Sequence, residues 1–137
     1  MAVNITFLGD ADTVTGSKYL AQQGCQRVLV DCGLFQGYKQ LRRRDWTPLP
    51  VTPTQVDAVL LTHAHLNHSG YLPLLHKEGF SGSVYIKQGA RELCRILLPD
   101  SACLQEEDAA FANRHGFSKH APALPLYTRK DALQSLR

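Results

Sequence analysis

The sequence predicts an α/β domain of the α+β kind, a mixed sheet with flanking helices. Three observations carry that prediction. Val3, Ile5 and Phe7 alternate with polar Asn4 and Thr6, the period of a half-buried strand. Two short apolar runs flank Gln22-Gln23-Gly24-Cys25, as in an antiparallel hairpin with glycine in the connection. The run Ala58-Val59-Leu60-Leu61, too short for a helix, leads through a histidine-rich loop into helical spacing.

The elements follow in order. After the first strand, Leu8-Gly9-Asp10 opens a small polar loop reaching Gly16. Ser17-Lys18-Tyr19-Leu20-Ala21 and Arg27-Val28-Leu29-Val30-Asp31 form the hairpin arms, the second ending at Asp31-Cys32-Gly33. The stretch rich in Gly and Arg that follows reads as a loop, and Pro48, Pro50 and Pro53 break any helix before the buried strand at 58–61. Tyr71, Leu72, Leu74 and Leu75 have helical spacing up to Gly79, with Pro73 admissible in the first turn, where its missing N–H costs nothing. Ser83-Val84-Tyr85-Ile86 is another strand. A long helix from about Ala90 should be kinked or divided by Pro99 before it reaches His115. After a polar linker with Pro122 and Pro125, Thr128 caps a terminal helix. Gly9, Gly16, Gly33 and Gly37 sit at strand ends, where positive φ is expected.

Composition narrows the class. At 137 residues there is room for one hydrophobic core, and 44% hydrophobic with 20% charged residues is ordinary for a globular protein. Cys25, Cys32, Cys94 and Cys103 form no C-x-x-C pair and read as reduced thiols filling space. No basic leader precedes the first apolar residues and no stretch approaches the roughly 20 apolar residues of a membrane span, so a cytoplasmic location is expected. A net charge of +3 permits a nucleic-acid partner without demanding one. The run Lys39, Arg42, Arg43 and Arg44 is a candidate phosphate contact, although charge runs are more often solvated faces.

Chemistry concentrates in His63-Ala64-His65-Leu66-Asn67-His68. Three imidazoles and an amide within six residues, at the edge where a buried strand yields to a helix, point to a metal. His63 and His65 point the same way while the chain is extended, and Asn67 and His68 follow the turn, so the loop can serve two adjacent metal positions. Neutral imidazole suits Zn²⁺, Fe²⁺ and Mn²⁺, zinc first, and a neighbouring oxygen ligand suits a two-metal site that activates a bridging water.

This loop resembles the H-x-H-x-D-H motif of the metallo-β-lactamase superfamily, with Asn67 in place of the motif Asp. Leu8-Gly9, Thr13-Val14-Thr15-Gly16-Ser17, Asp31-Cys32-Gly33-Leu34-Phe35-Gln36-Gly37 and His68-Ser69-Gly70-Tyr71-Leu72-Pro73 resemble its β-CASP branch of RNA-processing nucleases, as do Asp100-Ser101-Ala102, Gln105-Glu106-Glu107 and Pro125-Leu126-Tyr127. The resemblance implies an αβ/βα sandwich of which residues 1–137 are the amino-terminal portion, without the β-CASP insertion and carboxy-terminal part. It implies that His63 and His65 bind one zinc, that Asn67 and His68 serve the second, and that Asp31 steadies the metal loop through hydrogen bonds. Asn67 also occupies the catalytic Asp position. An amide carries no charge and relays no proton, so second-metal affinity and acid catalysis should weaken.

His76, His115 and His120 match none of the family's later motifs. Zinc, two per complete site in the family, should be held weakly or not at all, and the chain should be inactive alone. The sheet face that the second half of the sandwich covers should be open and apolar. Self-association, by exchange of strands or helices, is therefore expected. Two function classes stand at this point: part of a zinc-dependent ribonuclease, or a non-catalytic module binding RNA or protein. Another hydrolase of the same fold is a more distant alternative.

Overall fold

The computed structural model describes residues 2–9, 11–117 and 122–137; Asp10 and His120 lie outside them. Five strands form one sheet in the order β1-β2-β3-β4-β5: Asn4–Phe7, Tyr19–Gln23, Gln26–Val30, Ala58–Leu60 and Ser83–Tyr85. The first three are antiparallel and the last two run parallel to β3, so the sheet is mixed, as the sequence predicts. Gly24 makes the hairpin turn at φ +58°. Five helices accompany the sheet: α1 (Lys39–Arg42), α2 (Leu66–Ser69), α3 (Leu72–Lys77), α4 (Gln88–His115) and α5 (Arg129–Ser135). No helix among the described residues is long and apolar enough to cross a membrane.

One sheet face is closed. Leu20, Leu29 and Val59 share it and join Leu72, Leu75, Leu98, Tyr127 and Ala132 in a single core. The other face is open. Register aligns Phe7, Tyr19, Val30, Leu60 and Tyr85 in one row and Ile5, Ala21, Val28 and Ala58 in the next. Phe7 is 64% exposed, Ile5 61%, Tyr85 61% and Leu60 43%. β1 is therefore exposed along its length rather than half-buried, and β4 is buried on one side only: the apolar residues are there, but among the described residues nothing lies over them.

Other expectations are also corrected. The segment after Gly37 is no loop: α1 continues into a 3₁₀ turn at Arg43–Trp46, with Leu41 and Asp45 facing inward. α4 runs undivided through Pro99, because Cys94, Leu98, Ser101 and Ala102 are buried on both sides of it and hold the helix against the core. Cys32 and Cys94 fill space, whereas Cys25 and Cys103 are exposed; all four are free thiols. The cap of α5 is as expected, a reciprocal box in which Thr128 and Asp131 satisfy each other's backbone N–H groups.

Candidate metal centre

β3 and β4 are parallel neighbours, so the chains leaving their carboxyl ends emerge side by side; this is where α/β sheets place their sites. The first exit is Asp31, buried at 3% exposure and held at φ +60°, a left-handed conformation that Asp tolerates better than most residues. The second is Thr62, followed by the histidine loop. The loop lies directly on the first exit. Cys32 N–H donates to the His68 carbonyl at 2.8 Å and Leu34 N–H to the Leu66 carbonyl at 2.9 Å. Ser17 N–H donates to the Asn67 carbonyl at 3.0 Å. A Cβ on Gly33 would collide with the Asn67 carbonyl, so this glycine is required for close backbone approach. Positive φ occurs at Gly16 and Gly37 but not at Gly9 or Gly33, which correct the turn expectation.

Asp31 organises the centre. Its carboxylate accepts from Thr62 N–H at 2.8 Å, from the Thr62 hydroxyl at 2.9 Å and from the Ser17 hydroxyl at 3.5 Å, and His68 Nδ1 lies 2.9 Å away. An ionised carboxylate only accepts, so His68 carries a proton on Nδ1, and Nε2 is the nitrogen that its neutral ring would offer a metal. The Thr62 hydroxyl spends its proton on Asp31, so its oxygen accepts from His63 Nδ1 at 3.1 Å. His63 therefore also presents Nε2. One buried carboxylate sets two tautomers. Partial burial and the neighbouring His68 and His65 hold His63 below its ordinary pKa, favouring the neutral ring that a metal needs.

The three imidazoles cluster: the His63 ring lies 3.8 Å from His68 and 5.0 Å from His65, centroid to centroid. From below, Ser69 Oγ donates to the Ala64 carbonyl at 2.7 Å, and Tyr127 donates to the Gly70 carbonyl at 2.7 Å. The Asn67 amide binds the neighbouring loop, with Nδ2 donating to the Val14 carbonyl at 3.4 Å. A carboxylate could not make that bond. In donor type the residues fit zinc; in number they do not, since among the described residues no three His, Cys, Asp or Glu side chains are arranged to hold a metal ion.

Lys39, Arg42, Arg43 and Arg44 are all exposed. Arg44 forms a two-pronged ion pair with Asp12 at 3.1 and 3.2 Å, tying the helical turn to the loop that ends at Ser17. His76 lies on α3, and His115 stacks on Phe111 at the end of α4. Sequence reasoning missed Thr62, Ser17 and a buried group beside the centre. Lys18 is 2% exposed, with its ammonium 4.6 Å from the Phe35 ring and 4.7 Å from the Tyr71 ring. Burial pushes Lys18 down, Cys32 up to about 12 and Asp45 up to about 6, although Asp45 accepts the Phe35 N–H at 2.9 Å. Nothing in the spacing of a lone Lys signals such burial.

Clustered imidazoles at a strand edge over a buried Asp make this a candidate metal centre. The metallo-beta-lactamase superfamily profile matches residues 12–119, and the chain belongs to that superfamily. It is 45% identical over 105 residues to ribonuclease TTHA0252 of Thermus thermophilus, covering 77% of this chain and 24% of that protein. It is 38% identical over 103 residues to transcription termination factor FttA of Methanosarcina mazei (72% and 16%), and 30% identical over 103 residues to Integrator complex subunit 11 of Danio rerio (72% and 17%). The first of these relatives is by name a ribonuclease, in keeping with the RNA-processing branch that the motifs resemble. The chain spans about a quarter or less of the length of the relatives it matches.

Proposed function

We propose that this chain carries the histidine-loop half of a zinc-dependent RNA phosphodiesterase centre and does not cleave RNA by itself. The observation that carries the reading is the Asp31 hub, which fixes His63 and His68 with Nε2 free. Zinc, where bound, would supply a water activated as nucleophile toward phosphorus. His63, His65 and His68 are the donors this chain would contribute, short of a complete ligand set, and Asp31 is a positioning residue that acts through His68 and Thr62. Asn67 supports the reading of an inactive chain, since its amide cannot hand a proton to the leaving oxygen. The open apolar face supports self-association of the chain.

The test combines metal content with cleavage. After dialysis against micromolar zinc, the purified chain should retain well under one zinc and leave single-stranded RNA intact. Asn67→Asp should not restore cleavage if missing ligands limit the centre. One or more tightly held zinc ions per chain, or cleavage by the Asn67→Asp variant, overturns the proposal. The non-catalytic reading, a module that only binds RNA or protein, has Asn67 in its favour; it predicts RNA retention without cleavage under any metal.

A further inference from the structure

The 3₁₀ turn and short helix between Tyr38 and Trp46 combine two features that the centre does not use. Leu41 and Asp45 anchor the segment inward, and the Arg44–Asp12 pair fixes it to the loop beside Asn67. Its outer side is left with Lys39, Arg42 and Arg43, exposed and without an ion-pair partner among the described residues. The segment's own carboxylate, Asp45, is buried and so does not neutralise them. A large exposed ring stands at each end: Tyr38 at 68% and Trp46 at 58% exposure. Beside the indole is a cavity of about 210 Å³, lined by Leu74, Leu124 and Pro125 together with the charged Asp45, Lys77 and Glu78. That is smaller than the roughly 300–1,000 Å³ of pockets for drug-sized ligands, room for a group no larger than a single base.

We infer that Tyr38–Trp46 is a platform for single-stranded RNA, in which unpaired bases stack on Trp46 and Tyr38 while Lys39, Arg42 and Arg43 pair with the phosphates between them. This deepens the proposed function and rests on its choice of RNA as partner. Rings interleaved with unpaired cations match the two-part chemistry of single-strand binding, in which stacking tolerates any base and the backbone supplies the charge. A duplex hides its bases and has no ring to offer the cavity.

Trp46 is the only tryptophan in the chain, so emission at its wavelength reports this site alone. The intact chain is titrated in EDTA, which removes any metal-dependent cleavage, with a fluorescein-labelled 12-mer oligoadenylate. Tryptophan emission and label anisotropy are followed together. The expected result is quenching that tracks the anisotropy. Trp46→Ala should weaken binding about tenfold, and the double variant R42A/R43A should lower the logarithmic salt slope by about 1.4. Circular dichroism confirms that these exposed substitutions leave the fold intact. Binding seen by anisotropy with unchanged emission and an unchanged salt slope overturns the platform while leaving the RNA reading standing. Equal quenching by a 12-base-pair duplex overturns the single-strand assignment. Absence of binding at low salt overturns the platform and, with the cleavage assay, bears on the RNA reading separately.

Discussion

The two faces of the central sheet are built from the same five strands and meet opposite fates. On the helix side, Leu29 and Val59 are fully buried and Leu20 nearly so. On the far side, Phe7, Ile5 and Tyr85 remain more than 60% exposed, although Phe7 and Ile5 are just as apolar. Alternation along a strand assigns residues to faces, but burial needs a second layer, and within the described residues only one face has it. Apolar pattern is therefore a record of what a strand is prepared to contact, not of what it contacts.

The sharpest way to break that comparison is to truncate one residue on each face. Leu29→Ala should cost about 2–5 kcal/mol through lost transfer energy and an unfilled cavity, whereas Ile5→Ala should cost under about 0.5 kcal/mol, as for an exposed site. Urea unfolding of the two variants measures the difference. Equal losses would mean that the far face is covered in solution.

A second, smaller effect comes from charge in the closed interior. Burial raises the folded pKa of Asp45 to about 6 from the ordinary 3.8. The folded state then holds its proton more tightly than the unfolded chain does. This contribution is complete below about pH 3.8 and lost as pH rises through about 6, with an upper bound of about 3 kcal/mol. Thermal midpoints across pH 4–7 should decline through this window, and Asp45→Asn, which can still accept the Phe35 N–H, should flatten the decline. An unchanged profile in the variant would remove Asp45 as the cause.

The smallest effect on stability, and the most informative about the open face, comes from adding charge there. The double variant Phe7→Lys and Tyr85→Lys should leave the unfolding free energy within about 0.5 kcal/mol while shifting the chain toward monomer in sedimentation velocity. If the parent chain already sediments as a monomer, the proposed self-association fails.

Much of the fold was legible because it rests on local chemistry. The hairpin at Gly24, the strand and helix around the histidines, the first-turn Pro73 and the Thr128 cap all follow from turn preference, short apolar runs and side-chain capping. Pro99 misled because its local penalty is outweighed by packing on either side of it. The turn at Lys39–Trp46 was unreadable because only two of its residues, Leu41 and Asp45, face inward, too few to show a period.

For the centre, sequence alone determined the donors: the types and order of His63, His65, Asn67 and His68, and the position of Asp31 at a strand end. Only the tertiary structure decided how they act. Parallel pairing of β3 and β4 brings Asp31 beside Thr62 across 31 positions of chain, and the resulting proton order leaves Nε2 free on His63 and His68. It also decided that Lys18 is buried between two rings and that one apolar face stays open. Donor identity is a property of single residues, readable one at a time; hydrogen-bond direction, burial and cover depend on which distant segments meet, and that is fixed only when the chain packs.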